Sequence, residues 1–324
     1  MSAFSRRDFL IRTGAAATLA FGRRAPDLLD AAQPVTPVAF DVPDGACDSH
    51  VHVFDPQRFP FASTRTYTPE PAPVDEMRRF HHALHMDRVV VVQPSVYGTD
   101  NSCTLDAIAQ LGSRARGVAV IDEHTPSVAL DDMDRRGIRG IRVNLETAGV
   151  TDPSDARRRV RAALERLRRR AWHLQVNTRL SIVDAIRDEL GGAHVPIVID
   201  HFGGARAELG TAQPGFNALA DLVRSGRAYV KISGAYRASS RAPDYPDVAP
   251  LARALIAANP RRIIWGTDWP HPDSAPVPGR KSTDVTPPLE VDDGRLLNQL
   301  ATWAPDAGQR RLILVENPAQ LYGF

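Results

Sequence analysis

The 324-residue chain is predicted to be an α/β protein, a single-domain (β/α)8 TIM barrel preceded by an export signal. Three observations carry this prediction. Eight short β-rich runs recur between residues 47 and 268, each followed by a helical pattern. Strict alternation of this kind demands parallel pairing with helical crossovers. Eight repeats in roughly 270 residues match the size of a closed barrel. The glycine-rich turn that a doubly wound dinucleotide-binding sheet carries after its first strand is missing.

Residues 1–33 read as a leader and linker, and residues 34–324 as the barrel. The stretch "SRRDFLIRTGAAATLAFG" joins Arg6 and Arg7 to Phe9, Leu10 and a weakly apolar run. This order predicts a twin-arginine (Tat) signal, with residues 1–22 addressing the Tat export machinery and the mature protein periplasmic. The run is too short for a stable membrane span. Removing residues 1–33 leaves 35 basic and 35 acidic residues (40 less five Arg, 38 less three Asp), so no nucleic-acid footprint is expected.

The runs, in order, are "CDSHVHVF" (47–54), "RVVVVQP" (88–94), "RGVAVI" (116–121), "GIRVNL" (140–145), "HLQVNT" (173–178), "PIVIDH" (196–201), "AYVKIS" (228–233) and "IIWGTD" (263–268). In the first, a period of two puts Asp48, His50 and His52 on one face and Cys47, Ser49 and Val51 on the other. In the fourth, fifth and eighth, Ile141, Val143, Leu174, Val176, Ile263 and Trp265 take the outward positions against the helices. "RRRVRAALERLRRR" (157–170) spaces Val160, Ala163, Leu164 and Leu167 as the buried stripe of a helix with a solvated basic face. Cys47 opens the first strand and Cys103 follows the second, near opposite ends of the sheet, so a disulfide is not expected. Pro270 to Pro288 reads as a long loop covering the site, and the segment ending "VENPAQLYGF" as the closure of the barrel.

Barrel chemistry collects at the carboxyl ends of strands. Those ends carry His50 and His52, Gln93 and Ser95, Arg142 and Asn144, Asn177, His201, Lys231 and Ser233, and Asp268. Three histidines and an aspartate at one mouth either bind a divalent metal or polarise a carbonyl beside a general base. An arginine pointing into a barrel needs an anion partner, for which Arg142 has a substrate carboxylate or a neighbouring acid such as Glu146.

The motifs "DSHVHVFDPQRFPF", "YTPEPA", "VVVQPSVYGTDN", "GIRGIRVN", "VIDHFGG", "YVKISGAYR" and "WGTDWPHP" resemble the amidohydrolase superfamily (amidohydrolase family 2). More narrowly, they resemble the branch containing 2-pyrone-4,6-dicarboxylate lactonase and related lactone hydrolases. The resemblance spans residues 46–324 and implies opening of a carboxylated lactone by water activated at Asp268, with no metal required. His50, His52 and His201 would then supply donors to the developing oxyanion. Arg142 and Arg237 would hold substrate carboxylates, with Arg139 as a weaker candidate and Ser95, Tyr67, Tyr97 and Asn101 in the substrate-facing loops.

Strand 5 offers Asn177 where metal-dependent members carry histidine, so the full metal set is absent. One Zn2+ on His50, His52 and Asp268 stays open, with amidohydrolase or nonoxidative decarboxylase chemistry. A catalytically silent periplasmic carboxylate-binding protein is the third reading. Gly204 stands where the pyrone lactonase has an arginine after the strand 6 histidine, and Arg206 lies two residues on. His271 reads as a rim histidine.

Overall fold

The computed structural model describes residues 36–275 and 277–324. The expected leader, residues 1–33, lies outside the described residues. All eight expected strands form: β1 (Cys47–Val51), β2 (Arg88–Val92), β3 (Ala115–Ala119), β4 (Ile138–Asn144), β5 (His173–Asn177), β6 (Ile197–Ile199), β7 (Ala228–Lys231) and β8 (Ile263–Ile264). Each pairs in parallel with the next. The ring closes between its ends, where Ser49 N donates to Trp265 O (3.0 Å), Asp268 N to His50 O (2.9 Å) and His52 N to Trp269 O (2.8 Å). Among the described residues no helix is long and apolar enough to cross a membrane.

The helices α1 (Val74–Ala83), α2 (Ser102–Leu111), α3 (Ser127–Arg135), α4 (Pro153–Arg166), α5 (Leu180–Ala185), α6 (Arg187–Gly191), α7 (Phe216–Arg224), α8 (Ala235–Ala238) and α9 (Ala249–Ala258) follow in order. After them come α10 (Asp293–Trp303), α11 (Ala307–Arg311) and α12 (Asn317–Tyr322). In α4 the Asp152 carboxylate accepts from Ser154 N and Pro153 starts the first turn, while Val160 and Ala163 are buried, as the basic run predicts.

Outward residues of the strands, including Val51, Ile141, Leu174, Val176, Ile263 and Trp265, join the main apolar core under the helices. A second cluster, Cys47, Val90, Val92, Val118, Val198, Tyr229 and Ile264, is closed by Tyr322 from α12 and forms the barrel floor. The final segment thus plugs the barrel as expected. Cys47 and Cys103 are both buried and free, and Cys103 lies in α2 rather than in a loop.

The alternation expected of β1 fails at Asp48. The register slips between Asp48 and Val51, and this bulge turns Asp48 away from His50 and His52. Its carboxylate instead accepts from Thr267 N (3.0 Å) and Thr267 Oγ1 (2.6 Å) and lies 3.2 Å from His81 Nε2 of α1. Asp48 therefore stitches β1 to the chain after β8. Gly266 makes the close approach possible, because a Cβ there would stand 2.7 Å from His50 N.

Candidate active site

His50 and His52 face the barrel mouth from the end of β1, with ring centroids 5.0 Å apart. His201 and Asp268 follow β6 and β8, and both take left-handed backbone conformations, with φ of 48° and 70°. Turns of this kind cost energy and cluster where a side chain must be aimed. Here they swing both side chains over the mouth. Asp268 Oδ1 lies 3.6 Å from His50 Nε2, 3.7 Å from His52 Nε2 and 3.8 Å from His201 Nε2, with no hydrogen-bond partner among the described residues. Its other oxygen accepts from Tyr236 OH and Arg237 Nε, each at 2.6 Å. Burial alone would raise the Asp268 carboxyl; the Arg237 guanidinium, first among the groups facing it, outweighs burial and holds the group well below the ordinary carboxylate range.

Each imidazole is oriented from behind. His52 Nδ1 donates to Val92 O at 2.8 Å, and because a carbonyl only accepts, neutral His52 presents a lone pair at Nε2. Burial keeps it neutral by pushing its pKa down to about 4. The sequence-based role of His52 as an oxyanion donor conflicts with this arrangement. His201 Nδ1 meets Ser233 Oγ at 2.9 Å, and burial also lowers its pKa to about 4. His50 Nδ1 is 3.3 Å from Lys231 Nζ and 3.4 Å from Asp200 Oδ1, and burial and then Lys231 keep its pKa well below 6.5. With the ammonium donating to Nδ1, the His50 proton sits on Nε2 and points into the site.

The layer beneath is a closed ionic network. Asp200 Oδ2 accepts from Arg142 Nε (3.1 Å) and Gln175 Nε2 (3.0 Å), while Lys231 Nζ donates to Gln175 Oε1 (2.8 Å) and stands 3.6 Å from Asp200 Oδ1. Arg142 thus pairs with Asp200 and not with Glu146, which binds Arg179. Burial pushes Lys231 down to about 8. Tyr236 links outward as well, since His271 Nδ1 is 3.3 Å from its hydroxyl and His271 Nε2 is 2.7 Å from Asp293 Oδ2. His271 is fully buried, not a rim residue.

The mouth holds a cavity of about 30 Å3 lined by His52, Tyr67, Ser95, Arg142, Asn144, Thr147, Asn177, His201, Arg237, Asp268, Pro272 and Ser274. That is room for a water or two. The covering side chains must shift to admit a ring. The loop after β8 does cover the site, held by a parallel ribbon between Val285–Thr286 and Thr68–Pro69. A far larger groove, about 910 Å3, lies by residues 38–44 and α1 and meets none of the converging groups.

Three expected substrate contacts are elsewhere. Arg139 is the second residue of β4, so it sits near the opposite end of the strand, and its guanidinium binds the carbonyls of Asp134 and Ile138. The Tyr97 hydroxyl accepts from Asp55 N, and the ring packs on Phe61. Asn101 spends its amide on Thr99 O, Val120 O and Val120 N, bracing the loop before α2. Gln93 likewise bonds to the carbonyls of Gly98 and Asp100 and to Thr104. Arg206 is turned outward onto Glu208 and does not replace an arginine at position 204. Gly204 has φ +69°, and a Cβ there would stand 2.8 Å from Thr178 O and 2.9 Å from Arg179 Cα, so no side chain fits without moving backbone.

The nitrogens of His50 and His201 and a carboxylate oxygen of Asp268 lie within 4.8 Å of one another, a set able to hold a metal ion. The sequence-based set paired His50 with His52 instead.

The Amidohydrolase family matches residues 47–324. The chain belongs to that family. Within it, a 4-sulfomuconolactone hydrolase of Rhizobium radiobacter is 35% identical over 89% of this chain and 93% of its own. A 2-pyrone-4,6-dicarboxylate hydrolase of Comamonas testosteroni is 32% identical over 92% of this chain and 97% of its own. A solved Agrobacterium tumefaciens structure superposes with a TM-score of 0.73 at 28% identity, covering 90% of this chain and 98% of the other. These amidohydrolases match along the whole barrel, so the resemblance read in the motifs is one of the entire domain.

Proposed function

We propose that this protein is a hydrolase that opens a lactone or similar cyclic ester bearing at least one carboxylate or sugar-acid group. The observation that carries the reading is the single unshared oxygen of a buried carboxylate, Asp268 Oδ1, ringed by three imidazoles. A water beside it meets two acceptors, Asp268 Oδ1 and His52 Nε2, and is oriented for attack. As its oxygen bonds to the lactone carbonyl carbon, a proton passes to Asp268, and His50 Nε2–H stabilises the oxyanion. Collapse breaks the ring carbon–oxygen bond. The leaving alkoxide takes the proton back from Asp268 and a hydroxy acid departs. The names of the relatives support this chemistry.

A second reading is favoured by one observation, the approach of His50 and His201 nitrogens and an Asp268 carboxylate oxygen to within 4.8 Å of one another. Nitrogen and carboxylate donors converging in this way suit Zn2+. His50, His201 and Asp268 would hold the ion with His52 beside them, and the ion would polarise the carbonyl and acidify water. His50 would then carry its proton on Nδ1, toward Asp200 Oδ1.

Metal content and hydrolysis of carboxylated lactones, with and without chelator, separate the two. Turnover without metal, lost in Asp268→Asn, supports the first; one zinc per chain with activity lost on its removal supports the second. We also propose Tat export to the periplasm from the Arg6–Arg7 motif; cytoplasmic retention of the Arg6→Lys/Arg7→Lys protein tests it.

A further inference from the structure

The wall of the cavity formed by β4 and β5 carries two amides whose orientations are set by one backbone group. Thr147 N donates to Asn144 at 3.0 Å, so the atom it meets is Oδ1. That same oxygen lies 3.0 Å from the Asn177 amide, which must therefore present Nδ2 to it. Asn144 Nδ2 and Asn177 Oδ1 are left without a protein partner among the described residues, and both residues line the cavity. The wall thus offers one donor and one acceptor side by side. A hydroxyl matches both, whereas a carboxylate, which only accepts, is opposed by Asn177 Oδ1.

Charge points the same way. Arg142, Arg237 and Lys231 face Asp200 and Asp268 in and directly beneath the cavity, leaving one positive charge over. No further cation is available from the turn after β6, because Gly204 admits no side chain and Arg206 is outside.

We infer that Asn144 and Asn177 make this site select a lactone carrying one anionic group and a free ring hydroxyl, and reject a second carboxylate. The inference rests on the lactone-hydrolase reading and names its substrate class. The test compares kcat/KM for three lactones: monocarboxylated with a ring hydroxyl, monocarboxylated without one, and dicarboxylated without one. The hydroxylated monoacid should exceed the diacid by about tenfold or more, the worth of one buried hydrogen-bond match. Asn177→Leu should cut the ratio of hydroxylated to plain monoacid by about tenfold.

Diacid turnover equal to or better than that of the hydroxylated monoacid in the unaltered protein overturns the inference without any variant. So does a ratio unchanged in folded Asn177→Leu. Should none of the three be hydrolysed, metal-free or zinc-loaded, the hydrolase reading fails, and calorimetry with the same compounds decides the selection alone. Tighter binding of the hydroxylated monoacid upholds it, while equal, reversed or absent binding overturns it.

Discussion

Two layers of the barrel interior invite comparison: the one beneath the cavity, centred on Asp200, and the one lining it, centred on Asp268. Both carboxylates follow the end of a strand, both are fully buried, and both are held well below the ordinary range by cations that outweigh burial. They differ in what the second oxygen meets. Around Asp200 it meets Lys231 and the back of His50. Around Asp268 it meets three imidazole Nε2 atoms and the cavity. Burial and charge alone do not distinguish a structural acid from a reactive one; the aim of one oxygen does.

The largest expected effect breaks that comparison at the upper layer. Asp268→Asn should lower lactone kcat/KM by at least about a thousandfold, as loss of a general base does, while near-ultraviolet circular dichroism reports an intact fold. Retained turnover would transfer the reactive role elsewhere. Asp200→Asn should act mainly on stability, by about 3–5 kcal/mol in urea unfolding, because it leaves Arg142 and Lys231 as uncompensated buried cations. Lower still, Val198→Ala in the apolar floor should cost about 2 kcal/mol with kcat/KM held within about twofold; a large kinetic effect would mean that the floor and the mouth are not separable.

Acid should separate the layers less sharply, and the sign is common to both. His52 and His201 have folded pKa values of about 4 against an ordinary 6.5, so the unfolded chain binds more protons between those values and stability falls as pH falls through that window. The two carboxylates, with depressed folded values, add to the loss as pH drops below 3.8. The melting temperature should therefore decline steadily from pH 6.5 to 4, and a flat profile would refute the neutral imidazoles. The smallest effects belong to Arg139→Ala and Arg206→Ala, which should leave kcat/KM unchanged within about twofold and stability within about 0.5 kcal/mol.

Much of this layout was legible in the sequence because strand-end polarity is a local signal. His50, His52, His201, Asp268 and Arg142 all reach the mouth as their places in the β-rich runs require, while Arg237, named through the family resemblance, reaches it from α8. What escaped depends on geometry between segments. Asp48 shares the parity of His50 until a bulge rotates it toward α1, and no residue in "CDSHV" announces that slip. Arg139 and Arg142 look alike three residues apart, yet one is second in β4 and the other lies near its end. Tyr97 and Asn101 sit in loops that match the family's, but their polar atoms are already spent on neighbouring backbone. Asn144 and Asn177 were visible at strand ends, and only the Thr147 contact shows which amide atoms remain free. Tautomers, above all that of His52, depend on a carbonyl forty residues away.

The turn after β6 runs through four consecutive left-handed residues, His201, Phe202, Gly203 and Gly204, with φ of 48°, 55°, 65° and 69°. For chirally L residues this is a mirror-image path, and its first two members bear side chains at a cost of about 1–2 kcal/mol each. Such a corner leaves few substitutions open at its own positions. Replacing either glycine demands rebuilding the backbone or core it touches, so a substitution meant to change substrate preference is better placed across the mouth, at the ends of β4 and β5, where asparagines can be exchanged one at a time.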